Sequence, residues 1–278
     1  MHNVDKDACN GADDNCDGIV DDGKEMKDTD VLFIVDWSGS MSDEIQAVMT
    51  ALNMFAANYS DEDVIKWGLV IGPVPSPTGS MAYNSPEYLQ IVTDLVEFQQ
   101  FIGALSALSP NLFGGTEMLY DAVYLAIHNL VPTVSLPWPI YDLSWVNPSI
   151  TGSQNQEAGS IPELDLININ WRDDAHHVVI VFTDEAGQSY LWKNVNDPAN
   201  SSYKITQDEL VFTIQNAIDL SVYTFTPESL KDTQSWNNGP DGWEPLTQFL
   251  GKWYKLTSNA ATMYDNLLEI LDETACDN

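Results

Sequence analysis

The sequence predicts an α/β fold: a doubly wound, mainly parallel central sheet with helices on both faces, plus a short N-terminal calcium-loop segment. Three observations predict it. Two unbroken apolar runs, 31–35 and 178–182, have the character of strands buried on both faces. Segments with apolar residues at helical spacing, such as Ile45, Val48, Met49, Leu52 and Phe55, alternate with runs of this kind. Both runs end abruptly in oxygen-bearing side chains, at Asp36 and at Asp184. In open α/β sheets the crevice at the carboxyl ends of the strands is where ligands bind.

Residues 1–29 are set apart from 30–278 by having too few apolar side chains for a core. They contain Asp-x-Asn-x-Asp-Gly, the opening of a calcium loop. Asp13, Asn15 and Asp17 supply oxygens at alternate positions, Gly18 allows a sharp turn, and the Ile19 carbonyl and Asp21 follow in register. Lys24 stands where an EF-hand has its bidentate Glu, and no helical pattern flanks the loop. Three pairings of Cys9, Cys16 and Cys276 are open. Cys9–Cys16 closes a short loop and is the expected pair, with Cys276 bonding outside this segment. An α/β topology would alternatively carry Cys276 back towards Asp30, near Cys9 or Cys16.

The first strand, 31–36, leads to hydroxyls at spacing two: Ser38, Ser40 and Ser42. Ser42 is the expected N-cap of a helix in which Asp43 and Glu44 meet the positive end of the dipole. A strand is expected at 66–72, a proline-rich loop at 73–86, and an antiparallel edge strand at 88–93. Helices are expected at 96–108 and 119–130, the second with Leu119, Val123, Ile127 and Leu130 in one stripe. Residues 131–172 show no period and read as a long insertion, with Trp138, Trp145 and Trp171 packing it onto the body on the side away from Asp36. After the 178–183 strand, a second insertion, 185–206, should rise beside Asp184. A helix at 207–220, a strand at 221–226, a rim loop at 227–243, a short helix at 244–250, a strand at 252–256 and a helix at 260–274 complete the chain. Trp37, Trp192, Trp236 and Trp243 belong to the rim, where they either anchor loops or form a contact surface.

Asp36, Ser38 and Ser40 thus form Asp-x-Ser-x-Ser between a buried strand and a helix. Thr116 follows Gly114 and Gly115 ahead of a helix, and Asp184 closes the second buried strand. In this order and context the set resembles the von Willebrand factor type A domain, over residues 29–275. The resemblance implies a metal-ion-dependent adhesion site. Ser38, Ser40 and Thr116 would be hydroxyl ligands to Mg²⁺ or Ca²⁺, and Asp36 and Asp184 would hold charge partly through water. One coordination position would stay open for a partner's acidic oxygen. Hard oxygens suit these ions, and neutral hydroxyls leave enough charge on the metal to hold an anionic ligand. The chain departs from the family in having Glu185 where glycine is common, and Glu117 beside Thr116. Turned inward, these carboxylates favour Ca²⁺, a neutral glycan or main-chain ligand, or occupation of the site by Glu185. Turned outward, they leave it unchanged. The 1–29 segment resembles the Cys-Asp-Gly-rich, MopE-type metal-binding motif of secreted bacterial proteins, which implies Ca²⁺ there.

Charge sharpens the class. Ten Lys and Arg against 42 Asp and Glu give −32, with Arg172 the sole arginine. Such a surface repels nucleic acid and anionic membrane and attracts cations, and it also serves solubility. No stretch is long and apolar enough to span a bilayer. Residues 1–5 lack the basic start and apolar run of a signal peptide, so the numbering is expected to describe a mature or excised segment. Bridging cysteines outside the core point to an oxidising compartment, extracellular or at the cell surface. The expected function is cation-dependent adhesion or binding of a protein or glycan ligand, by a bacterial protein. The alternative is a structural subunit of a surface fibre or complex. An enzyme is not expected. His176 and His177 precede a strand, at the sheet end opposite Ser38 and Ser40, and no phosphate-binding glycine loop follows any strand.

Overall fold

The computed structural model describes residues 27–58, 64–72, 89–108, 119–131, 167, 169–185, 207–228 and 253–274. Strand β1, Thr29–Asp36, is buried along its whole length, as its run of branched and aromatic residues requires. It pairs in parallel with β2, Ile65–Gly72, on one side and with β4, His176–Phe182, on the other. β3, Gln90–Val96, joins β2 antiparallel, and β5, Leu220–Thr226, and β6, Trp253–Lys255, extend the other edge in parallel. The order β3-β2-β1-β4-β5-β6 is doubly wound, with its switch point between β1 and β4. The predicted mainly parallel sheet, including the antiparallel edge, is what forms.

Alternate residues of β1 face two separate cores. Val31, Phe33 and Val35 pack with helices α1 (Ile45–Asn58), α2 (Phe98–Ala107) and α5 (Ala260–Thr274). Phe33 contacts the rings of Phe55, Trp67, Phe101 and Phe182. Leu32 and Ile34 pack on the opposite face with α3 (Leu119–Ile127) and α4 (Gln207–Asn216).

Several expectations are corrected. The first helix begins two residues later than predicted, and Ser42 does not cap it. A 3₁₀ turn, Gly39–Asp43, intervenes because Met41 is drawn fully into the core, and this turns Ser40 towards the carboxyl ends of the strands. α3 has no single apolar stripe: every residue from Leu119 to Ile127 is buried, and a 3₁₀ turn, His128–Leu130, follows it. α4 stops at Asn216 rather than running to 220: the Ile218 N–H leaves the helical ladder for the Leu130 carbonyl at 3.0 Å, and Asp219 then takes a left-handed φ of 50° ahead of β5. Of the two readings of Trp37, the anchoring one agrees with its place: it is 3 % exposed and packs in the first core.

Trp171 does pack the end of the first insertion onto the body. Its Nε1 donates to the Ala126 carbonyl at 2.7 Å, and its ring meets that of His177 edge-on. The cysteines, Trp138, Trp145, Trp192, Trp236, Trp243 and the predicted 244–250 helix lie outside the described residues. No described helix is long and apolar enough to cross a membrane.

Candidate metal centre

Asp36 is the last residue of β1, and Asp184 stands two residues beyond β4. Because β1 and β4 are parallel neighbours with Val35 opposite Phe182, both aspartates emerge on one rim at the switch point. The 3₁₀ turn after Ser38 brings the two serine hydroxyls to the same place. Ser38 Oγ lies 2.8 Å from Ser40 Oγ, and Ser40 Oγ donates to Asp184 Oδ1 at 3.0 Å. The Ser38 backbone N–H donates to Asp36 Oδ1 at 2.9 Å. The structure therefore gathers Asp36, Ser38, Ser40 and Asp184 from two elements. Thr116 and Glu117 lie outside the described residues, as do Asp13, Asn15, Asp17, Ile19 and Asp21 of the N-terminal loop.

The cluster has a buried floor and an open face. Asp36 and Ser38 are buried, Ser40 is exposed and Asp184 is half-buried. Burial pushes the Asp36 carboxyl up to about 6, against hydrogen bonds from Ser38 and Thr183 that lower it; Asp184 raises it further. Glu44 is also raised, first by burial and then by Asp184 and Asp43. Such a concentration of carboxylate, in a chain of charge −32, is electrostatically suited to a cation.

The donor set tests which cation fits. Among the described residues no group of three or more His, Cys, Asp or Glu side chains could hold a metal, so a site built from nitrogen, sulfur or carboxylate alone is not formed by them. What they provide is two hydroxyls and a carboxylate oxygen in a row, a hard-oxygen set that fits Mg²⁺ or Ca²⁺. Ser38, Ser40 and Asp184 would hold the ion, with Asp36 behind them.

Thr183 escapes a sequence-level search. It is fully buried, its hydroxyl donates to Asp36 Oδ2 at 2.8 Å, and its own Oγ1 accepts the Glu185 N–H at 3.0 Å. The available signal was its place between a buried strand and a candidate ligand, but a threonine there is equally explained by strand propensity. His176 and His177 open β4 at the amino end of the sheet, opposite Thr29 and Asp30, a strand's length from Ser38. His176 Nδ1 lies 3.0 Å from Asp219 Oδ1 and its Nε2 lies 3.2 Å from Ser221 Oγ, a second grouping that the sequence did not signal.

No family model and no curated protein matches the chain. Among solved structures, proximal thread matrix protein 1 of the mussel byssus aligns at 10 % identity and a TM-score of 0.47, over 90 % of this chain and 49 % of that one. Another structure of the same protein gives 11 % and 0.47, over 91 % and 48 %. The open conformation of the pilus adhesin SpaC from Lactobacillus rhamnosus GG gives 13 % and 0.49, over 91 % of this chain and 31 % of the adhesin. The chain spans about half the length of the mussel protein and under a third of the adhesin. At these scores neither likeness bears on function; the α/β class rests on the strand order and register of this chain.

Proposed function

We propose that this chain is an extracellular, divalent-cation-dependent binding or adhesion module. Its ion sits on Ser38, Ser40 and Asp184, with Thr116 completing the set and Asp36 beneath. The supporting observation is the row of oxygens from Ser38 through Ser40 to Asp184, spaced 2.8 and 3.0 Å on an open rim above a buried carboxylate. Both distances are ordinary hydrogen-bond lengths, and the hard oxygens suit Mg²⁺ and Ca²⁺ alike. The neutral hydroxyls leave charge on the ion for an acidic oxygen of a protein or glycan partner. Ca²⁺ at Asp13, Asn15, Asp17, Ile19 and Asp21 is a separate proposal, carried by the loop pattern alone.

Titration calorimetry with Mg²⁺ and Ca²⁺ tests both. Ser38→Ala with Ser40→Ala is expected to remove the Mg²⁺ event, and Asp13→Asn with Asp17→Asn to remove only a Ca²⁺ event. A wild-type chain that binds neither ion overturns the reading.

A second reading rests on the order Ser221, His176, Asp219, the hydrogen-bond order of a serine hydrolase. It is the weaker of the two. The Asp219 carboxylate is 66 % exposed, and Ser221 lies on a regular strand, opposite Val178, rather than on a sharp turn that lifts a nucleophile towards substrate. A fluorophosphonate probe is expected not to label the protein; labelling abolished by Ser221→Ala would establish the hydrolase instead.

A further inference from the structure

Building on the proposed cation site, we infer that Thr183 is its positioning residue. Its hydroxyl holds the Asp36 carboxylate in place and couples it to the turn that carries Asp184. The hydrogen bonds close a ring. Thr183 donates to Asp36, Asp36 accepts from Ser38, Ser38 meets Ser40, and Ser40 donates to Asp184, the covalent neighbour of Thr183. Ser40 and Asp184 border the open face, and Ser38, Asp36 and Thr183 are buried beneath them. A cation bound by Ser38, Ser40 and Asp184 would therefore touch the outer half of a ring whose inner half is fixed by Thr183.

The hydroxyl has one proton and cannot serve two acceptors. Asp36 Oδ2 at 2.8 Å takes it, and the Glu185 carbonyl at 3.5 Å lies at the limit of reach. The remaining lone pairs accept the Glu185 N–H at 3.0 Å. The main chain of Thr183 is held in turn by its N–H on the Phe225 carbonyl at 3.1 Å. Each Asp36 oxygen thus has a donor from a different element, Ser38 N–H on Oδ1 and Thr183 on Oδ2. Rotating the carboxyl would break both bonds. Because Ser40 gives its only proton to Asp184, the Ser38 hydroxyl donates to Ser40, and the Asp36 carboxyl fixes Ser38 through its backbone N–H. Outer partners of this kind change metal affinity without touching the metal.

Thr183→Val keeps the shape and removes the hydroxyl, whereas Thr183→Ser keeps the hydroxyl. Calorimetry should show Mg²⁺ affinity about 10–100-fold weaker in the valine variant and near wild type in the serine variant. A nitrogen–proton correlation spectrum supplies a readout independent of affinity. The Glu185 amide should shift on Mg²⁺ addition in the wild type and in Thr183→Ser, and lose that response in Thr183→Val. Circular dichroism gives the folded fraction of each variant. Thr183→Val binding Mg²⁺ as tightly as wild type overturns the inference while leaving the cation site standing. So does weakening no greater than the lost folded fraction, which would make the role structural. A wild-type chain that binds no divalent ion overturns the cation site itself.

Discussion

Replacing Arg172 by alanine is expected to cost about 3–5 kcal/mol of unfolding free energy, a large part of a total near 5–15 kcal/mol for a domain. The sole arginine of the chain holds the amino end of β1. Its Nε donates to Asp30 Oδ1 at 2.7 Å and its backbone N–H to Asp30 Oδ2 at 2.7 Å. The guanidinium also reaches the carbonyls of Thr29 and Val64, at 2.9 and 2.6 Å, and Asp28 at 3.2 Å. Asp30 is fully buried. Alanine would leave its carboxylate in the interior with a single backbone donor and would take the guanidinium away from the Thr29 and Val64 carbonyls, the second of which keeps the Thr29 N–H at 3.0 Å. Arg172→Lys keeps charge but not the planar fork, and should fall between wild type and alanine. Removing both partners, with Asp30→Leu and Arg172→Met, should recover much of the loss, because the larger penalty is the unpaired buried charge. Urea unfolding followed by circular dichroism measures all four proteins. A loss under about 1 kcal/mol in Arg172→Ala, as at a surface ion pair, would show that the guanidinium is not holding β1.

This clamp also shows where sequence reading stops. The β1 and β4 runs were legible because burial on both faces demands unbroken apolar residues, a local and redundant signal. The convergence of Asp36, Ser38 and Asp184 was legible because parallel neighbouring strands deliver their carboxyl ends to one rim. Arg172 and Asp30 are 142 residues apart, and nothing local distinguishes Asp30 from the many other acidic residues of the chain. Thr183 was hidden for a different reason: one residue satisfies both strand propensity and the Asp36 hydrogen bond, so the commoner cause masks the other. Ser42 was misplaced as a cap for a third reason. Met41 enters the core within a 3₁₀ turn over residues 39–43, which delays the helix. Cap rules assume a direct strand-to-helix turn, and a single buried methionine was enough to break that assumption.

Metal-free protein should become less stable as pH rises from 4 to 7, by about 2 kcal/mol from Asp36 alone. The carboxyl is raised from 3.8 to about 6 by burial in the native state. Between those values the native chain holds a proton that the unfolded chain has released. The contribution is therefore fully present below 3.8 and lost as pH passes through about 6. Repulsion among the other carboxylates changes in the same direction, so the quantity to measure is a difference. Unfolding free energies in a chelator are compared between wild type and Asp36→Asn from pH 4 to 8. Asparagine keeps the shape and does not titrate, so the other carboxylates cancel and the difference isolates Asp36. Mg²⁺ then acts at the opposite end of the range. It requires the ionised carboxylate behind Ser38, so it should stabilise wild type at pH 7.5 by RT ln(1 + [Mg²⁺]/Kd) and do almost nothing at pH 4.5. A flat difference curve would mean that Asp36 ionises freely in the fold. An Mg²⁺ effect of equal size in Asp36→Asn at pH 7.5 would mean that the ion is held elsewhere. The same buried charge that weakens the metal-free protein at neutral pH is what a divalent ion on Ser38, Ser40 and Asp184 would neutralise, so ion binding and folding should be coupled most strongly where Asp36 is ionised.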